Sequence, residues 1–251
     1  MKGYGMKLIR INTDFVEVLN SNSFTVLWSG GKDSTAALLW VLNNVKHDNW
    51  NVLYIEVTGN THPICTQYVI ETARRLGIYN KLIVTRREDL DFYEALKKWG
   101  IPIIRHNRWC LHQFKLPFIL RYAHRVRVLG VRSEESRARS MLYSFVVYSR
   151  QENRLFVCPI YDWKKERVTH YIKSFGIDIN PCYAMYGHSG NCMFCPNHTK
   201  EKIVKTLLDP EWRARIVNAL EAQRVQTRTV RTWLRIARLI ETTRPLTDAS
   251  R

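Results

Sequence analysis

One stretch, residues 24–40, constrains the fold of this chain more than any other part of the sequence. It reads FTVLW, then SGGKDS, then TAALLW, so an apolar run passes through a short polar loop into a second apolar run. The first run is typical of a buried strand and the second of a helix, and the two glycines allow a sharp turn between them. The stretch predicts a strand over residues 24–28, a tight loop, and a helix over residues 34–46.

The predicted loop has the chemistry of an anion-binding site. At the start of a helix the backbone N–H groups lack partners, and the helix dipole favours negative charge there. Lys32 and the hydroxyl groups of Ser29 and Ser34 would add further donors. The spacing of a Walker A loop, Gly-x-x-x-x-Gly-Lys-Ser/Thr, is absent. The alternative is an ordinary glycine-rich turn between a strand and a helix.

Further strands and helices alternate along the chain. This alternation predicts an α/β fold with a doubly wound, mostly parallel sheet, in which ligands bind at the carboxyl ends of the strands. The loop at residues 29–33 lies at such an end, and residues 1–23 are predicted to be a short lead-in with a polar turn at residues 20–23. The other predicted strands are 51–57, 81–85, 127–130, 143–148 and 154–158, and the other predicted helices are 63–76, 87–99, 108–124 (kinked at Pro117) and 163–174.

The C-terminal part of the sequence changes character. Residues 180–199 read as an irregular, cysteine-rich loop, and helices are predicted at 200–208, 210–223 and 226–242. Five arginines near the end follow a 4-3-4-3 spacing, which places them on one face of a helix, and an apolar set forms a second face. The two sets are Arg224, Arg228, Arg231, Arg235 and Arg238, and Val230, Trp233, Leu234, Ala237 and Ile240.

The charge of the chain points to a polyanionic partner. There are 39 Lys+Arg against 22 Asp+Glu, a formal net charge of +17, which favours nucleic acid. A solvated cationic face is the alternative interpretation of the arginine helix. No apolar run of about 18 residues occurs, so no membrane span is predicted. The first residues lack the apolar core and cleavage site of a secretory signal, and we expect a cytoplasmic protein.

The six cysteines suggest metal or redox chemistry before disulfides in such a location. Cys192 and Cys195 form a C-x-x-C pair, and Cys182 lies ten residues before it. With His198 these three cysteines would suit a structural zinc site. Two further cysteines, at positions 65 and 158, lie in apolar surroundings and are expected to be packing residues.

Several segments together resemble known proteins. The SGGKDS loop resembles the Ser-Gly-Gly-x-Asp-Ser signature of the PP-loop ATP pyrophosphatase superfamily. The rest narrows the resemblance to the phosphoadenosine phosphosulfate (PAPS) reductase family, over about residues 24–200 and in the order of that family. The matching segments are EVTGNTHP at 56–63 (with Val57 where the family has Asp), WCLHQFK at 109–115, GVR at 130–132 with Glu135, Ser136 and Arg139, PIYDW at 159–163, NPCY at 180–183 and CMFCP at 192–196.

The resemblance implies an adenine nucleotide alpha hydrolase-like fold and a set of site residues. Residues 1–199 are then the nucleotide-binding domain, and 200–251 a basic helical C-terminal extension. ATP or an adenine sulfonucleotide would bind, with Mg²⁺, to Ser29, Gly30, Gly31, Lys32, Asp33, Ser34, Thr58, Gly59 and Gly130. The catalytic residues implied are Lys32, Asp33, Arg132, Glu135 and Arg139. The two arginines have forks suited to phosphate or sulfate oxygens, and Glu135 would orient one of them or help hold Mg²⁺.

In the iron-sulfur members of the family, cysteines at the position of Cys110 and in the C-x-x-C pair share a [4Fe-4S] cluster. By resemblance, the ligands here would be Cys110, Cys192 and Cys195, with Cys182 as a fourth. Alternatively, three cysteines hold the cluster and one iron stays open to carry sulfide, as in cluster-dependent tRNA thiolases. Zn²⁺ and no metal at all are the remaining alternatives.

Three functions follow from the sequence. The first is an ATP-dependent, adenylating sulfur-transfer enzyme that releases pyrophosphate and modifies nucleic acid by tRNA thiolation or DNA phosphorothioation, with a sulfur or electron donor protein as partner. The second is a PAPS or adenylylsulfate reductase, which the family order supports. Such reductases attack with a cysteine near the C-terminus, and residues 196–251 contain none. The third is a zinc-stabilised, non-catalytic nucleic-acid-binding protein, against which the intact loop argues.

Overall fold

A seven-stranded sheet forms the centre of the computed structural model, which describes residues 8–103 and 108–243. Its strands are β1 (Leu8–Arg10), β2 (Phe24–Leu27), β3 (Trp50–Glu56), β4 (Leu82–Arg86), β5 (Val126–Val128), β6 (Val146–Ser149) and β7 (Arg154–Val157). The spatial order is β1-β6-β7-β5-β2-β3-β4. Strands β7, β5, β2, β3 and β4 run parallel, and β6 is antiparallel to both of its neighbours. The prediction of a mostly parallel sheet is confirmed.

Helices surround this sheet. They are α1 (Phe15–Asn20), α2 (Lys32–Asn44), α3 (Pro63–Arg75), α4 (Phe92–Trp99), α5 (Trp109–Phe114), α6 (Leu116–Tyr122), α7 (Arg137–Leu142), α8 (Lys165–Ser174), α9 (Cys182–Tyr186), α10 (Lys200–Leu208), α11 (Pro210–Glu221) and α12 (Arg228–Thr243). None of the helices in the described ranges is long and apolar enough to cross a membrane.

Some element boundaries differ from the sequence predictions for local reasons. Helix α4 begins five residues later than predicted, because the Asp91 carboxylate caps it by accepting the N–H of Tyr93 at 2.7 Å. The helix predicted over 108–124 is two helices that meet at Lys115. Pro117 falls in the first turn of the second one, where no N–H partner is needed. The lead-in predicted over residues 1–23 contains β1 and α1, and its residues 1–7 lie outside the described part.

The strand order changes direction at the centre of the sheet. From β2 the chain moves outward to β3 and β4, and β5 then pairs with the other side of β2. The loop after β2 and the segment after β5 therefore leave the same edge of the sheet side by side. In a doubly wound sheet this crevice is where ligands bind. Strand β2 is buried on both faces, with Phe24, Thr25 and Val26 fully inaccessible.

The C-terminal helices pack back onto the sheet-bearing part of the chain. Helix α11 contacts α4, and α12 contacts both α10 and α11. The predicted apolar face of α12 is buried, and its Trp233 ring lies 4.8 Å from the ring of Phe194 in the cysteine-rich loop. Four of the five predicted arginines lie in α12 and are exposed, namely Arg228, Arg231, Arg235 and Arg238. Arg224 is also exposed but lies before the helix, so the predicted face is one residue shorter than expected. The division at residue 199 stays a prediction, and residues 244–251 of the extension lie outside the described part.

Candidate active site

The loop after β2 turns at Gly30, which has a left-handed φ of +69°. A Cβ at this position would lie 2.9 Å from Cys65 Sγ and 3.0 Å from a methyl group of Val69. Both the backbone conformation and the space under the loop thus require glycine here. The carbonyl of Gly30 accepts a hydrogen bond from the Asn180 side-chain amide at 2.9 Å.

Hydroxyl groups hold the loop in place at the start of α2. Ser34 Oγ accepts the N–H of Ser29 at 3.2 Å and donates to the carbonyl of Gly31 at 2.9 Å. Thr35 Oγ1 donates to the same carbonyl at 3.0 Å. The N–H groups of Gly31 and Asp33 have no acceptor among the residues that the structure describes. They are available to an anion at the positive end of the α2 dipole.

A chain of charges joins this loop to the segment after β5. Asp33 accepts from Lys32 Nζ at 2.7 Å with one carboxylate oxygen and from Arg132 Nε at 2.6 Å with the other. The Arg132 side chain is 5% exposed, and its Nη1 also contacts Glu134 at 2.9 Å and the carbonyl of Trp163 at 3.2 Å. A buried cation with this many partners keeps a fixed position beside the loop.

The other two predicted catalytic residues continue the same network. Glu135 accepts the backbone N–H of Arg132 at 3.1 Å and forms an ion pair with Arg139. The structure therefore brings all five predicted catalytic residues into one connected group. Arg139 is the more accessible of the two arginines, with 43% of its side chain exposed. Their catalytic roles stay predictions.

Gly130 sets the distance between the segment after β5 and the first turn of α2, which together carry the residues of this group. A Cβ on Gly130 would lie 2.5 Å from the Cα of Ser34 and from the carbonyl carbon of Asp33. The segment after β5 thus runs directly against the first turn of α2. Only a residue without a side chain allows this approach, because the atoms it would meet are backbone.

Thr58 and Gly59 lie on the neighbouring strand end, beyond β3. They line an open cavity of about 590 Å³ between α3 and the end of β4, and none of residues 29–34 lines it. Thr58 Oγ1 donates to the carbonyl of Arg87, and Glu56 in the same cavity pairs with Arg86 at 3.4 Å. The structure thus places these two predicted nucleotide-binding residues in a cavity that none of the loop residues lines.

Three cysteines share a second cavity, of about 100 Å³. They are Cys110 from α5 and the Cys192–Cys195 pair, and the cavity is also lined by Lys115 and Arg108. Burial raises the pKa of Cys195 to about 11 and raises that of Cys110. Within residues 8–103 and 108–243, no three His, Cys, Asp or Glu side chains are grouped so as to hold a single metal ion.

Cys182, the predicted fourth ligand, does not line this cavity. Its Sγ packs against Gly190, and its side chain is fully buried. Burial, with a contribution from the nearby Cys65 thiol, raises the pKa of Cys182 to about 12. Cys65 and Cys158 are also fully buried, and burial raises their pKa values to about 11 and about 12. All three behave as packing residues.

The cysteine loop is bonded directly to the strand end that carries Thr58. Asn60 accepts the N–H of Phe194 at 2.8 Å and donates to its carbonyl at 3.0 Å. The carbonyl of Asn60 accepts the N–H of Met193 at 2.8 Å, and Thr61 Oγ1 donates to the carbonyl of Asn191 at 2.9 Å. The two cavities and the phosphate loop are thus built on one continuous, hydrogen-bonded framework.

Two residues at the loop carried no predicted role. Asn180 and Tyr183 belong to the NPCY segment, and both reach the loop from about 150 positions along the chain. Asn180 bonds to Gly30, and the Tyr183 hydroxyl accepts the N–H of Lys32 at 3.3 Å. The match of the NPCY segment to a family motif marked these residues in the sequence. The segment contains no local pattern that indicates which distant residues its side chains contact.

Comparisons with known proteins agree with this geometry. Residues 23–197 match the protein family described as the phosphoadenosine phosphosulfate reductase domain. The chain is 27% identical over 213 residues to an uncharacterized protein of Methanocaldococcus jannaschii, across 75% of this chain and 49% of that protein. It is 24% identical over 145 residues to the phosphoadenosine 5'-phosphosulfate reductase of Buchnera aphidicola, across 57% of this chain and 51% of that enzyme.

The chain spans about half the length of these two curated relatives. Among solved structures, the phosphoadenylyl-sulfate reductase of Candida auris, in a phosphate complex, is similar with a TM-score of 0.46 and 15% identity. That similarity covers 70% of this chain and 93% of the Candida chain.

Proposed function

This chain belongs to the phosphoadenosine phosphosulfate reductase domain family, and we propose that within it the chain is an ATP-dependent sulfur-transfer enzyme that modifies nucleic acid. Family membership supports an enzyme with nucleotide-binding, sulfur-related chemistry. The finer proposal is that ATP activates an oxygen of tRNA or DNA and that sulfur then replaces this oxygen. A cytoplasmic location and a sulfur or electron donor protein belong to the same proposal.

The observation that carries the proposal is the division of the cysteines into two groups. A reductase of this family needs a cysteine thiolate that can leave its pocket and attack sulfur. Cys65, Cys158 and Cys182 are fully buried, so they are poor candidates for that thiolate. The other three cysteines share a single cavity, an arrangement suited to holding sulfur for transfer.

The residues around the loop suit adenylation. The free N–H groups of the loop and Lys32 would bind the phosphates of ATP, and Arg139 would balance the charge that develops on the leaving pyrophosphate. The acceptor oxygen attacks the α-phosphorus, the bond from that phosphorus to pyrophosphate breaks, and the acceptor becomes adenylated. Sulfide then attacks the activated atom, the bond from that atom to the adenylated oxygen breaks, and AMP leaves with the original oxygen. Asp33 holds Lys32 and Arg132 in position, and with Glu135 it offers carboxylate oxygens for Mg²⁺.

The donors of the cysteine cavity suit an iron-sulfur cluster. Three thiol groups and two cations line the cavity, and the cations would stabilise an anionic, thiolate-bound group. Cys110, Cys192 and Cys195 would hold a [4Fe-4S] cluster, and Cys182 would not. A cluster held by these three cysteines would supply a place for sulfide. A zinc site of Cys182, Cys192, Cys195 and His198 gains no support from the position of Cys182.

The arginine face of α12 supports a nucleic-acid substrate. The exposed arginines are Arg228, Arg231, Arg235 and Arg238 of this helix and Arg224 just before it, and none forms a side-chain hydrogen bond or ion pair with another described residue. By contrast, Arg215 on α11 pairs with Glu211 at 2.8 Å. Unpaired arginines in a row are suited to consecutive phosphates, because each can bind two phosphate oxygens at once.

Reduction of a sulfonucleotide is the second candidate. It is favoured by the name of the Buchnera relative and by the arginines that face the loop, since Arg139 suits a sulfate as well as a phosphate. In that reaction the loop would hold the nucleotide without cleaving ATP. The two candidates therefore differ in whether pyrophosphate is released and in whether sulfite is formed.

Anaerobic purification followed by two assays tests the proposal. Iron, acid-labile sulfide and zinc are measured first, and pyrophosphate release from ATP is then measured with and without tRNA and DNA. We expect iron and sulfide in the protein and pyrophosphate release that depends on nucleic acid. Zinc without iron would refute the cluster. Sulfite formation from a sulfonucleotide without any cleavage of ATP would refute the sulfur-transfer proposal.

Asp33→Asn tests the role of the ion pairs that Asp33 forms with Lys32 and Arg132, because it removes the charge and leaves the side-chain volume nearly unchanged. The carboxamide cannot hold both Lys32 and Arg132, so we expect pyrophosphate release to fall by about a hundredfold or more. The matched control is Asp48→Asn, which removes a carboxylate that is 97% exposed and lies on the surface. Equal activity of the two variants would remove Asp33 from the catalytic group.

A further inference from the structure

Tyr183 brings a hydroxyl group to the phosphate loop from a distant part of the chain. The Asn180 side chain bonds to the carbonyl of Gly30 and accepts the N–H of Cys182, both at 2.9 Å. These two bonds anchor the start of α9 to the loop. Tyr183 is the second residue of α9, and its hydroxyl oxygen reaches the first residue of α2.

The hydroxyl group lies at the place where the loop offers its donors. It accepts the N–H of Lys32 at 3.3 Å and lies 3.3 Å from where a Cβ at Gly31 would be. The N–H of Lys32 is the first of the α2 backbone donors, and the unpaired N–H groups of Gly31 and Asp33 flank it. The tyrosine oxygen thus stands among the groups that would bind a phosphate.

The proton of this hydroxyl group has no partner. A phenol has one donor and two acceptor sites, and the bond from Lys32 uses one acceptor site. Within the described ranges the Tyr183 O–H donates no hydrogen bond. Burial raises the pKa of Tyr183, and the carboxylates of Asp33 and Glu135 raise it further, so the proton is retained at physiological pH. The loop therefore has a neutral O–H donor beside it that is not in use.

We propose that Tyr183 donates this hydrogen bond to a phosphate oxygen of the bound nucleotide. The inference rests on the proposed function, in which the loop holds a nucleotide polyphosphate. It makes Tyr183 a ligand-binding residue, in contact with the charged part of the nucleotide and not with its nucleoside part. It also gives the NPCY segment a role, since the same segment that leads into the cysteine loop would contact the phosphates.

Tyr183→Phe tests the proposal, because it removes the oxygen and leaves the ring. Isothermal titration with Mg-ATP and with inorganic pyrophosphate measures the phosphate contact, and competition by adenosine measures the nucleoside contact. Since hydrogen bonds to charged acceptors are among the stronger ones, we expect ATP and pyrophosphate to bind about tenfold more weakly or worse. Adenosine affinity should stay within about twofold of wild type.

Tyr186→Phe is the matched control, in the same helix three residues later. Its hydroxyl bonds to His62 and Asp209 at 3.1 and 2.7 Å and does not contact the loop. If both variants weaken ATP equally, or if Tyr183→Phe weakens adenosine as much as ATP, Tyr183 only supports the structure and the proposal fails. Unchanged ATP and pyrophosphate affinity in Tyr183→Phe also overturns it.

The proposed function fails separately from this inference. If the wild type binds ATP more tightly than Tyr183→Phe but never releases pyrophosphate, the phosphate contact is supported and the adenylation chemistry is refuted. If the wild type and Tyr183→Phe release pyrophosphate at the same rate at every ATP concentration, the adenylation chemistry is supported and the phosphate contact is refuted. Absence of any ATP or pyrophosphate binding in the wild type contradicts both.

Discussion

Replacing Gly130 by alanine tests whether the site depends on the close approach of two backbone segments. The added Cβ would lie 2.5 Å from backbone atoms of Asp33 and Ser34, whereas ordinary van der Waals contact begins near 3.4 Å. The segments must therefore separate by about 1 Å. A displacement of that size in a catalytic group is expected to lower turnover by about a hundredfold. Overpacking should lower the free energy of unfolding by about 1–3 kcal/mol.

Pyrophosphate release, ATP titration and urea unfolding should be measured on the same preparation of the Gly130→Ala variant. Gly77→Ala is the control, because Gly77 has a φ of +69° and no atom within 4 Å of its would-be Cβ. That variant should lose about 1 kcal/mol of stability through backbone strain but keep its activity. The reasoning is refuted if Gly130→Ala retains wild-type turnover, or if Gly77→Ala loses as much activity at equal stability.

Two further predictions concern pH and salt. Burial is the main cause that lowers the pKa of His188 from 6.5 to about 4, and the charges of Lys202 and His62 lower it further. The His188 imidazole therefore binds a proton more readily in the unfolded chain than in the folded one. Stability should be full above pH 6.5 and decline as the pH falls towards 4, by about 3 kcal/mol from this group. In urea titrations the free energy of unfolding should decline less with falling pH in His188→Gln than in the wild type. The exposed control His170→Gln should decline as much as the wild type. Replacing Arg231 and Arg235 together by alanine should lower the slope of log affinity for duplex nucleic acid against log salt by about 2, with ATP binding unchanged. Arg215→Ala, which removes a paired arginine, should change that slope less.

Much of the fold could be predicted from sequence because its signals are local. Apolar runs of strand length, Gly30 in the loop and the 4-3-4-3 arginine spacing each depend on residues a few positions apart. They were sufficient for the alternating strands and helices, the mostly parallel sheet and the buried face of α12. The errors were local as well. Helix α4 starts at its Asp91 cap, and the short elements β1, α1, α7 and α9 carry too few residues for a periodic pattern.

The candidate site was predictable in part, because family motifs select residues without stating their contacts. The motifs brought in Arg132, Glu135 and Arg139, and the structure joins them to the loop. They also suggested Cys182 beside the C-x-x-C pair, whereas the structure buries it elsewhere. Tyr183 lay in a matched segment, but its contact with Lys32 spans 151 positions and leaves no local trace.

The sequence by itself therefore determined the type and order of the elements, the phosphate loop and the basic face of the last helix. Only the tertiary structure decided which distant side chains meet. It set Arg132 against Asp33, 99 positions away, joined Cys110 to Cys192 and Cys195 without Cys182, and brought the Tyr183 hydroxyl to the loop. The physical reason is that periodicity and turn chemistry act over a few residues. The pairing of β2 with β5 and the packing of the cysteine loop depend on the whole core, where each contact is fixed by many others.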